Sequence, residues 1–125
     1  MKITEQQVAA ACEIAKQVYG DHIKQAQGVA ILSREHGINP ASAGDFINDY
    51  RSLRKGKLFQ RAMSASAMRH FMESIFADCD MAAKENALNA LQRHIAYYEG
   101  HYKTRMYAMR GVVDEFDARV KRFGT

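Results

Sequence analysis

The stretch that decides the fold spans residues 29–61 and reads VAILSREHGINPASAGDFINDYRSLRKGKLFQR. It predicts a helix, a short turn, a second helix that begins at Pro40, and a basic tail. Gly37 favours the left-handed conformation that ends a helix, and Asn39 is a suitable cap for the helix that follows it. This order is typical of a helix-turn-helix unit at residues 29–55, although an ordinary helical hairpin fits the same residues equally well.

Helical patterns continue on both sides of this stretch, and the chain has one proline and no alternating strand pattern. Residue types that cap helix N-termini occur at Thr4, Asp21, Asn39, Ser64 or Ser66, and Asp80. The fifth helix is expected to end at Gly100. The sequence therefore predicts an all-α fold, a bundle of five to six helices in one domain of 125 residues, with a helical core at residues 3–100 and a long C-terminal helix at residues 101–123.

The helix that begins at Pro40 has a clear apolar face and a clear polar face. Its inward residues are Ala43, Phe46, Ile47, Tyr50 and Leu53. Its outward residues are Asp45, Asn48, Asp49, Arg51 and Arg54. The two acids on this outward face count against a close approach of the helix to DNA, because like charges repel.

The C-terminal helix repeats residues of apolar character at alternating steps of four and three. The residues in this line are Tyr102, Met106, Met109, Val113, Phe116, Val120 and Phe123. Such an alternation is a coiled-coil pattern, and helices packed inside one bundle use the same period. The line is therefore either part of the core or the seam of a homodimer, whose interface would consist of Met106, Met109, Val113, Phe116 and Val120.

Positive charge is concentrated in two regions of a chain whose formal net charge is +4. Residues 51–61 hold five basic side chains and no acid, and residues 100–125 hold six basic against three acidic side chains. The denser run indicates phosphate contact, and a solvated helix end is the alternative, since cations are favoured at helix C-termini without any ligand. The predicted phosphate contacts are Arg51, Arg54, Lys55, Lys57 and Arg61, and the predicted base-edge contacts are Ser42 and Asn48.

Aromatic residues also lie among basic ones near the end of the fifth predicted helix. Tyr97, Tyr98 and Tyr102 lie near Lys103, Arg105 and Arg110. Aromatic side chains interleaved with cations are typical of surfaces that bind single-stranded nucleic acid. Packing of the tyrosines in the core and at its rim is the alternative interpretation.

Motifs of catalysis and of metal binding are missing from the sequence. It has no Gly-rich phosphate loop, no GxSxG, no HExxH and no cysteine pair at metal-ligand spacing. We therefore predict no catalytic residue, no metal and no cofactor. Cys12 and Cys79 are expected to be reduced and buried. Because the chain has no apolar run of about 18 residues and no signal-peptide pattern, we expect it in the cytoplasm and not in a membrane.

Two segments carry a resemblance to a known group of proteins. NPASAGDFINDYRSLRKGKLFQR (residues 39–61) and ALNALQRHIAYYEG (residues 87–100) resemble an all-helical accessory domain of bacterial HNH restriction-endonuclease-like proteins. The resemblance covers roughly residues 3–100, and neither a His-Asn-His constellation nor zinc-ribbon cysteines follow it. It implies association with DNA in a defence or mobile-element setting, with nuclease chemistry on a separate partner.

These observations predict a non-catalytic nucleic-acid-binding protein whose expected partner is double-stranded DNA. A homodimer and a complex with a separate nuclease are the protein assemblies that fit this function. The rival interpretation is a protein-interaction module, either an adaptor or an inhibitor. In that case the basic surface and the apolar face of the last helix bind a protein partner.

Overall fold

The computed structural model describes residues 2–123, except for the side chain of Phe123. Within these residues the chain forms six α-helices and no strand, which confirms the predicted all-α bundle. The helices are α1 (Glu5–Tyr19), α2 (Gln25–His36), α3 (Pro40–Lys55), α4 (Ala65–Asp78), α5 (Met81–Tyr102) and α6 (Tyr107–Phe123). No helix in this part of the chain has both the length and the apolar character needed to span a membrane.

The chain divides into two compact units. The first ends at Arg51 and the second begins at Ser52, so that the division falls inside α3. The first unit contains α1, α2 and most of α3, and the second contains the end of α3 and α4 to α6. That the two units act as one domain stays a prediction.

Most helices start at the capping residues that the sequence indicates. The Thr4 hydroxyl accepts a hydrogen bond from the Gln7 N–H at 3.1 Å, and the Gln7 side-chain oxygen accepts one from the Thr4 N–H at 2.9 Å. These two bonds form a capping box. Ser64 and Asp80 cap α4 and α5 by accepting from backbone N–H groups at 3.1 Å and 3.0 Å, and Asn39 caps α3 at 2.8 Å.

Three predicted helix boundaries are wrong, namely the start of α2, the end of α5 and the start of the last helix, which the sequence predicts at residue 101. Asp21 does not cap α2, because it adopts a positive φ of 62° in a turn and α2 begins only at Gln25. Gly100 does not end α5, which continues to Tyr102, and the last helix begins at Tyr107. A glycine inside a helix costs only about 1 kcal/mol relative to alanine, so it does not by itself end the helix.

Close approach of the helices in the first unit depends on Gly28. A Cβ atom built on Gly28 would lie 2.9 Å from Val18 Cγ2 of α1 and 3.2 Å from Ile47 Cδ1 of α3. The first distance is shorter than carbon atoms approach without a shift, so a residue without a side chain lets α2 fit against both neighbours. Gly28 therefore sets how closely the three helices pack. A separate contact joins the end of α2 to α1, where Gln7 Nε2 donates a hydrogen bond to the His36 carbonyl oxygen at 2.9 Å.

Helix α6 packs on α4 and α5 and contributes to the core of the second unit. Its buried residues are Met109, Val112 and Phe116, and the Phe116 ring meets the Phe76 ring edge to face with 4.9 Å between centroids. Arg119 of α6 lies over the Phe116 ring at 4.8 Å from its centroid. These contacts place Met109 and Phe116 in the core of their own chain.

The other residues of the predicted seam differ from Met109 and Phe116 in exposure. Met106, Val113 and Val120 are half-buried. Tyr102, the first residue of the heptad line, belongs to α5 and is exposed, and the Phe123 side chain lies outside the described residues. The homodimer stays a prediction.

Two ion pairs hold α6 against α4. Arg69 Nη2 lies 2.6 Å from Glu115 Oε2 and Arg69 Nε lies 3.0 Å from Glu115 Oε1, so the guanidinium and the carboxylate pair through two bonds. Arg119 Nη1 lies 2.7 Å from Glu73 Oε2. Much of the charge along α6 therefore serves contacts between helices.

Candidate nucleic-acid interface

Arg51, in the first unit, is held by two amide side chains. Its Nη1 donates a hydrogen bond to Asn48 Oδ1 at 3.0 Å and its Nη2 donates to Gln25 Oε1 at 2.9 Å. Gln25 Nε2 in turn donates to Asn48 Oδ1 at 3.1 Å, which closes a ring of hydrogen bonds between α2 and α3. Because both acceptors are neutral, they orient the guanidinium without cancelling its charge.

The two residues predicted to contact base edges lie in different surroundings. Asn48 Oδ1 already accepts two hydrogen bonds in the ring, so the side-chain N–H groups are its available means of contact with a partner. Ser42 is half-buried and lies six residues earlier in α3, which corresponds to about 9 Å along the helix axis. The structure thus brings Asn48 and Arg51 together and leaves Ser42 apart from them.

The predicted outward position of Asp49 is wrong. The residue is 4 % exposed and belongs to the buried side of α3. Burial, and in second place the negative charge of Asp45 one turn earlier, raise the pKa of the Asp49 carboxyl to about 8. Asp49 is therefore mainly protonated at pH 7, and it adds little to the repulsion of DNA that the sequence predicts for this helix.

The basic segment, residues 54–61, begins at the end of α3 in the second unit. Gly56 follows the helix with a φ of 70°, and the Lys57 N–H donates to the Ser52 carbonyl oxygen at 2.9 Å, as in a Schellman motif. Asn86 of α5 donates through Nδ2 to the Arg54 carbonyl oxygen at 3.2 Å. A Cβ atom on Gly56 would lie 3.1 Å from Asn86 Oδ1, so both the φ angle and this neighbour favour glycine.

Phe59 anchors the basic segment on α5. Its ring stacks on the imidazole of His94, with 4.2 Å between centroids and 7° between planes, and both residues are buried. His94 Nδ1 lies 2.7 Å from the Phe59 carbonyl oxygen. Since that oxygen can only accept, Nδ1 carries the proton and donates. Burial lowers the pKa of His94, against the opposing effect of this hydrogen bond, so the ring is neutral at pH 7.

The cations of the basic segment differ in how far they are exposed. Lys55, Lys57 and Arg61 are exposed, whereas Arg54 is half-buried. Within residues 2–123 none of the three exposed cations forms an ion pair. The sequence contains no acid from residue 50 to residue 72, so the segment has no acidic neighbour along the chain. These three side chains supply a positive surface in the second unit.

The elbow, residues 97–107, joins α5 to α6 and carries a group of exposed aromatic rings. The Tyr97 and His101 rings stack with 5.4 Å between centroids, and the His101 and Tyr102 rings meet at 4.7 Å. Tyr102 is 57 % exposed and Tyr107 is 78 % exposed. The core and rim interpretation of the tyrosines is therefore wrong for Tyr102, and Tyr97 and Tyr98 are half-buried.

Glu99 holds the backbone of the elbow in place. Its carbonyl oxygen accepts from the N–H groups of Lys103 and Thr104, the latter at 3.3 Å. Its carboxylate accepts from the Met106 N–H at 2.8 Å and from Nε and Nη2 of Arg110, which form one edge of the guanidinium. These hydrogen bonds, that of Arg110 first, lower the pKa of Glu99 to about 2. The elbow is thus a fixed turn and not a loose connection.

Metal-ligand and cysteine chemistry find little support in the described residues. Within residues 2–123 no three His, Cys, Asp or Glu side chains lie close enough together to hold a metal ion. Cys12 and Cys79 are both in the reduced thiol form. Cys12 is buried as predicted, whereas Cys79 is half-exposed because it follows the end of α4, where the helix leaves the core.

Sequence reasoning missed the three residues that position these surfaces, namely Phe59, His94 and Glu99. A signal exists for His94, which lies at helical spacing from Ala87, Leu91 and Tyr98 and therefore on the buried face of α5. Phe59 is the only aromatic residue in the basic segment, which marks it as an anchor. The partners of Glu99 lie up to 11 residues away, across a turn whose shape local sequence does not specify.

Known proteins offer no match to this chain. No protein-family model matches it, and neither a curated protein nor a solved structure does. The resemblance to the accessory domains of HNH-type proteins stays a prediction. The function is therefore inferred from the side chains and their arrangement.

Proposed function

We propose that this protein binds nucleic acid without catalysing a reaction on it, and that the basic segment holds the phosphate backbone. The observation that carries the proposal is an anchored, acid-free segment with exposed cations. Lys57 and Arg61 flank Phe59, whose ring and carbonyl group are both fixed by His94. An anchored segment loses little conformational freedom when a partner binds, which favours binding. Double-stranded DNA is the expected polyanion.

Arg51 is the proposed phosphate contact of the first unit. A guanidinium matches two phosphate oxygens with a planar pair of donors, and it binds best when its orientation is already set. Gln25 and Asn48 set that orientation and leave the charge intact. The neutral state of Asp49 removes one of the two repulsive charges from the same helix.

Recognition of sequence has a smaller part in the proposed function. Asn48 and Ser42 are the proposed base-edge contacts, but the Asn48 oxygen is already engaged and Ser42 is half-buried. Contacts to phosphate fix the position of a protein on DNA and carry little sequence information. We therefore expect binding that depends strongly on salt and weakly on sequence.

The test is a titration of fluorescently labelled random-sequence duplex DNA, followed by anisotropy at several salt concentrations. We expect the triple variant Lys55→Ala/Lys57→Ala/Arg61→Ala to bind about tenfold more weakly than the wild type. We also expect the slope of log affinity against log salt to fall by about 0.9 for each phosphate contact that is lost.

A second triple variant, Lys2→Ala/Arg34→Ala/Lys121→Ala, removes the same net charge from exposed cations outside the basic segment. It is expected to keep its affinity within about twofold, since none of the three is a proposed phosphate contact and salt screens the general attraction of exposed charges. Equal losses in both variants would show that only net charge matters. A wild type that binds no DNA at low salt, but binds an acidic polypeptide, would support the protein-interaction module instead.

A further inference from the structure

An aromatic ladder runs along one side of α5 from the basic segment to the elbow. The Phe59 ring stacks on His94 at 4.2 Å, His94 meets Tyr98 at 5.8 Å, and Tyr98 meets Tyr102 at 4.5 Å between centroids. From His94 to Tyr102 the helix rises about 12 Å, because each residue adds about 1.5 Å. This length corresponds to between three and four nucleotide steps of about 3.4 Å.

Exposure increases along the ladder from its base to its tip. His94 is fully buried, Tyr98 is half-buried and Tyr102 is 57 % exposed. Tyr107, at the far end of the elbow, is the most exposed large apolar side chain described. The buried base fixes the rings, and the exposed tip leaves aromatic surface in contact with water, which a stacking ligand would cover.

The electrostatics of the elbow favour an anionic ligand. Glu99 is the only acid between residues 86 and 113, and its charge is balanced by Arg110. Lys103 and Arg105 are exposed in the elbow itself, and Arg93 is exposed one residue before His94. The exposed rings are therefore flanked by cations, without an uncompensated acid beside them in the sequence.

We propose that the elbow binds unpaired nucleotides of single-stranded nucleic acid. Bases stack on Tyr102 and Tyr107, and Lys103 and Arg105 neutralise the phosphates between them. This inference rests on the proposed nucleic-acid binding and extends it, because the strand continues along the aromatic ladder toward the basic segment. Base stacking on aromatic rings tolerates any sequence, since every base has a flat face.

A protein partner fits the same surface less well. Tyrosine and arginine are common at protein interfaces, where they occupy a desolvated, apolar centre surrounded by polar residues. Around Tyr102 and Tyr107 the elbow instead presents Lys103, Thr104 and Arg105, all of them exposed. Cations next to exposed rings suit a ligand that alternates phosphates with flat bases.

The test compares a thymidine oligomer of about fifteen nucleotides with a duplex of the same length, at a single salt concentration. We expect Tyr102→Ala/Tyr107→Ala to bind the oligomer at least about tenfold more weakly and the duplex within about twofold of the wild type. Tyr102→Phe/Tyr107→Phe retains the rings and is expected to restore affinity for the oligomer. Because the chain has no tryptophan, quenching of tyrosine fluorescence by the oligomer reports stacking directly, and the alanine variant is expected to lose part of it.

The outcomes separate this inference from the proposed function. If the double alanine variant binds the oligomer as tightly as the wild type while the basic-segment variant binds the duplex weakly, the elbow inference is wrong and nucleic-acid binding stands. If the wild type binds neither nucleic acid, both are wrong. Tyrosine-dependent binding of polyglutamate with the affinity of the oligomer would assign the elbow to a protein partner and overturn the inference.

Discussion

The basic segment and helix α6 both belong to regions of excess positive charge in the sequence, and the fold uses their cations differently. Three cations of α6 pair with carboxylates on α4, α5 or α6 itself. The pairs are Arg110–Glu99, Arg119–Glu73 and Lys121–Asp117. The exposed cations of the basic segment, Lys55, Lys57 and Arg61, have no such partner among the described residues.

This difference shows why a sum of charges over a sequence window is a poor guide to a binding surface. The sum counts every cation equally, whereas the field that a partner meets depends on acids within about 10 Å in space. For Arg110 and Arg119 of α6 those acids lie on α5 and α4, up to 46 residues earlier in the chain. The cations of α6 therefore mainly serve the fold, and those of the basic segment remain available to a partner.

The largest expected effect tests whether α6 belongs to the fold at all. Met109 is buried, and Met109→Glu places a carboxylate among apolar side chains of the core. Such a change costs more than about 4 kcal/mol, so we expect loss of cooperative thermal unfolding by circular dichroism. Val113→Glu, at a half-buried position of the same helix, is the matched control and should fold. A folded, monomeric Met109→Glu protein from a dimeric wild type would instead make α6 an intermolecular seam.

The next largest effect concerns the buried carboxyl of Asp49, which is mainly uncharged at pH 7. The pKa of Asp49 is about 8 in the folded chain, compared with 3.8 for an ordinary aspartate. Between these values the unfolded chain has lost the proton and the folded chain retains it, so stability falls as the pH rises, by about 1.4 kcal/mol per unit. Asp49→Asn removes this dependence. We therefore expect the free energy of unfolding of the wild type, measured with denaturant, to be about 3 kcal/mol lower at pH 7 than at pH 5. The free energy of unfolding of the variant should stay flat over this range.

Parallel pH profiles of Asp49→Asn and the wild type would contradict this account of the buried carboxyl. Asp45→Asn is the control, because it removes the neighbouring acid and leaves the buried one. It should lower the pKa of Asp49 only slightly, since burial is the larger cause. The wild-type slope with pH should therefore persist in that variant.

Local sequence predicts the helix ends well where one side chain decides them. The caps at Thr4, Asn39 and Asp80 need only a short polar side chain next to free N–H groups, and all three are observed. The end of α5 is different, because Gly100 weakens a helix by only about 1 kcal/mol and does not end it. The helix ends at Tyr102, and the next residue, Lys103, adopts a positive φ of 51°.

The polar surfaces were harder to predict, because their geometry depends on residues distant in sequence. The pattern of α3 places Asp49 outside, but an acid on the border of an apolar stripe is buried or exposed according to what packs against it. The basic segment is recognisable from its charge, yet its anchor is a stack between residues 35 positions apart. Charge pattern therefore indicates candidate contact residues, but it does not predict what holds them in place.

The smallest effect compares two cations directly. Arg119→Ala and Lys57→Ala remove the same charge, one from α6 and the other from the basic segment. Arg119 pairs with Glu73 at 2.7 Å and covers the Phe116 ring, so we expect its loss to lower the free energy of unfolding by about 1 to 2 kcal/mol. Lys57 is exposed and has no acid near it along the chain, so its loss should change stability by less than about 0.5 kcal/mol.

Urea unfolding of both variants measures these differences in stability. DNA binding of both variants is expected to show the opposite order of losses. Arg119→Ala should keep its affinity while it remains folded, whereas Lys57→Ala should lose affinity at unchanged stability. A Lys57→Ala protein as destabilised as Arg119→Ala would mean that Lys57 also serves the fold. In that case the acid-free sequence around it would no longer indicate a binding surface, because a cation that stabilises its own chain is not free to act on a partner.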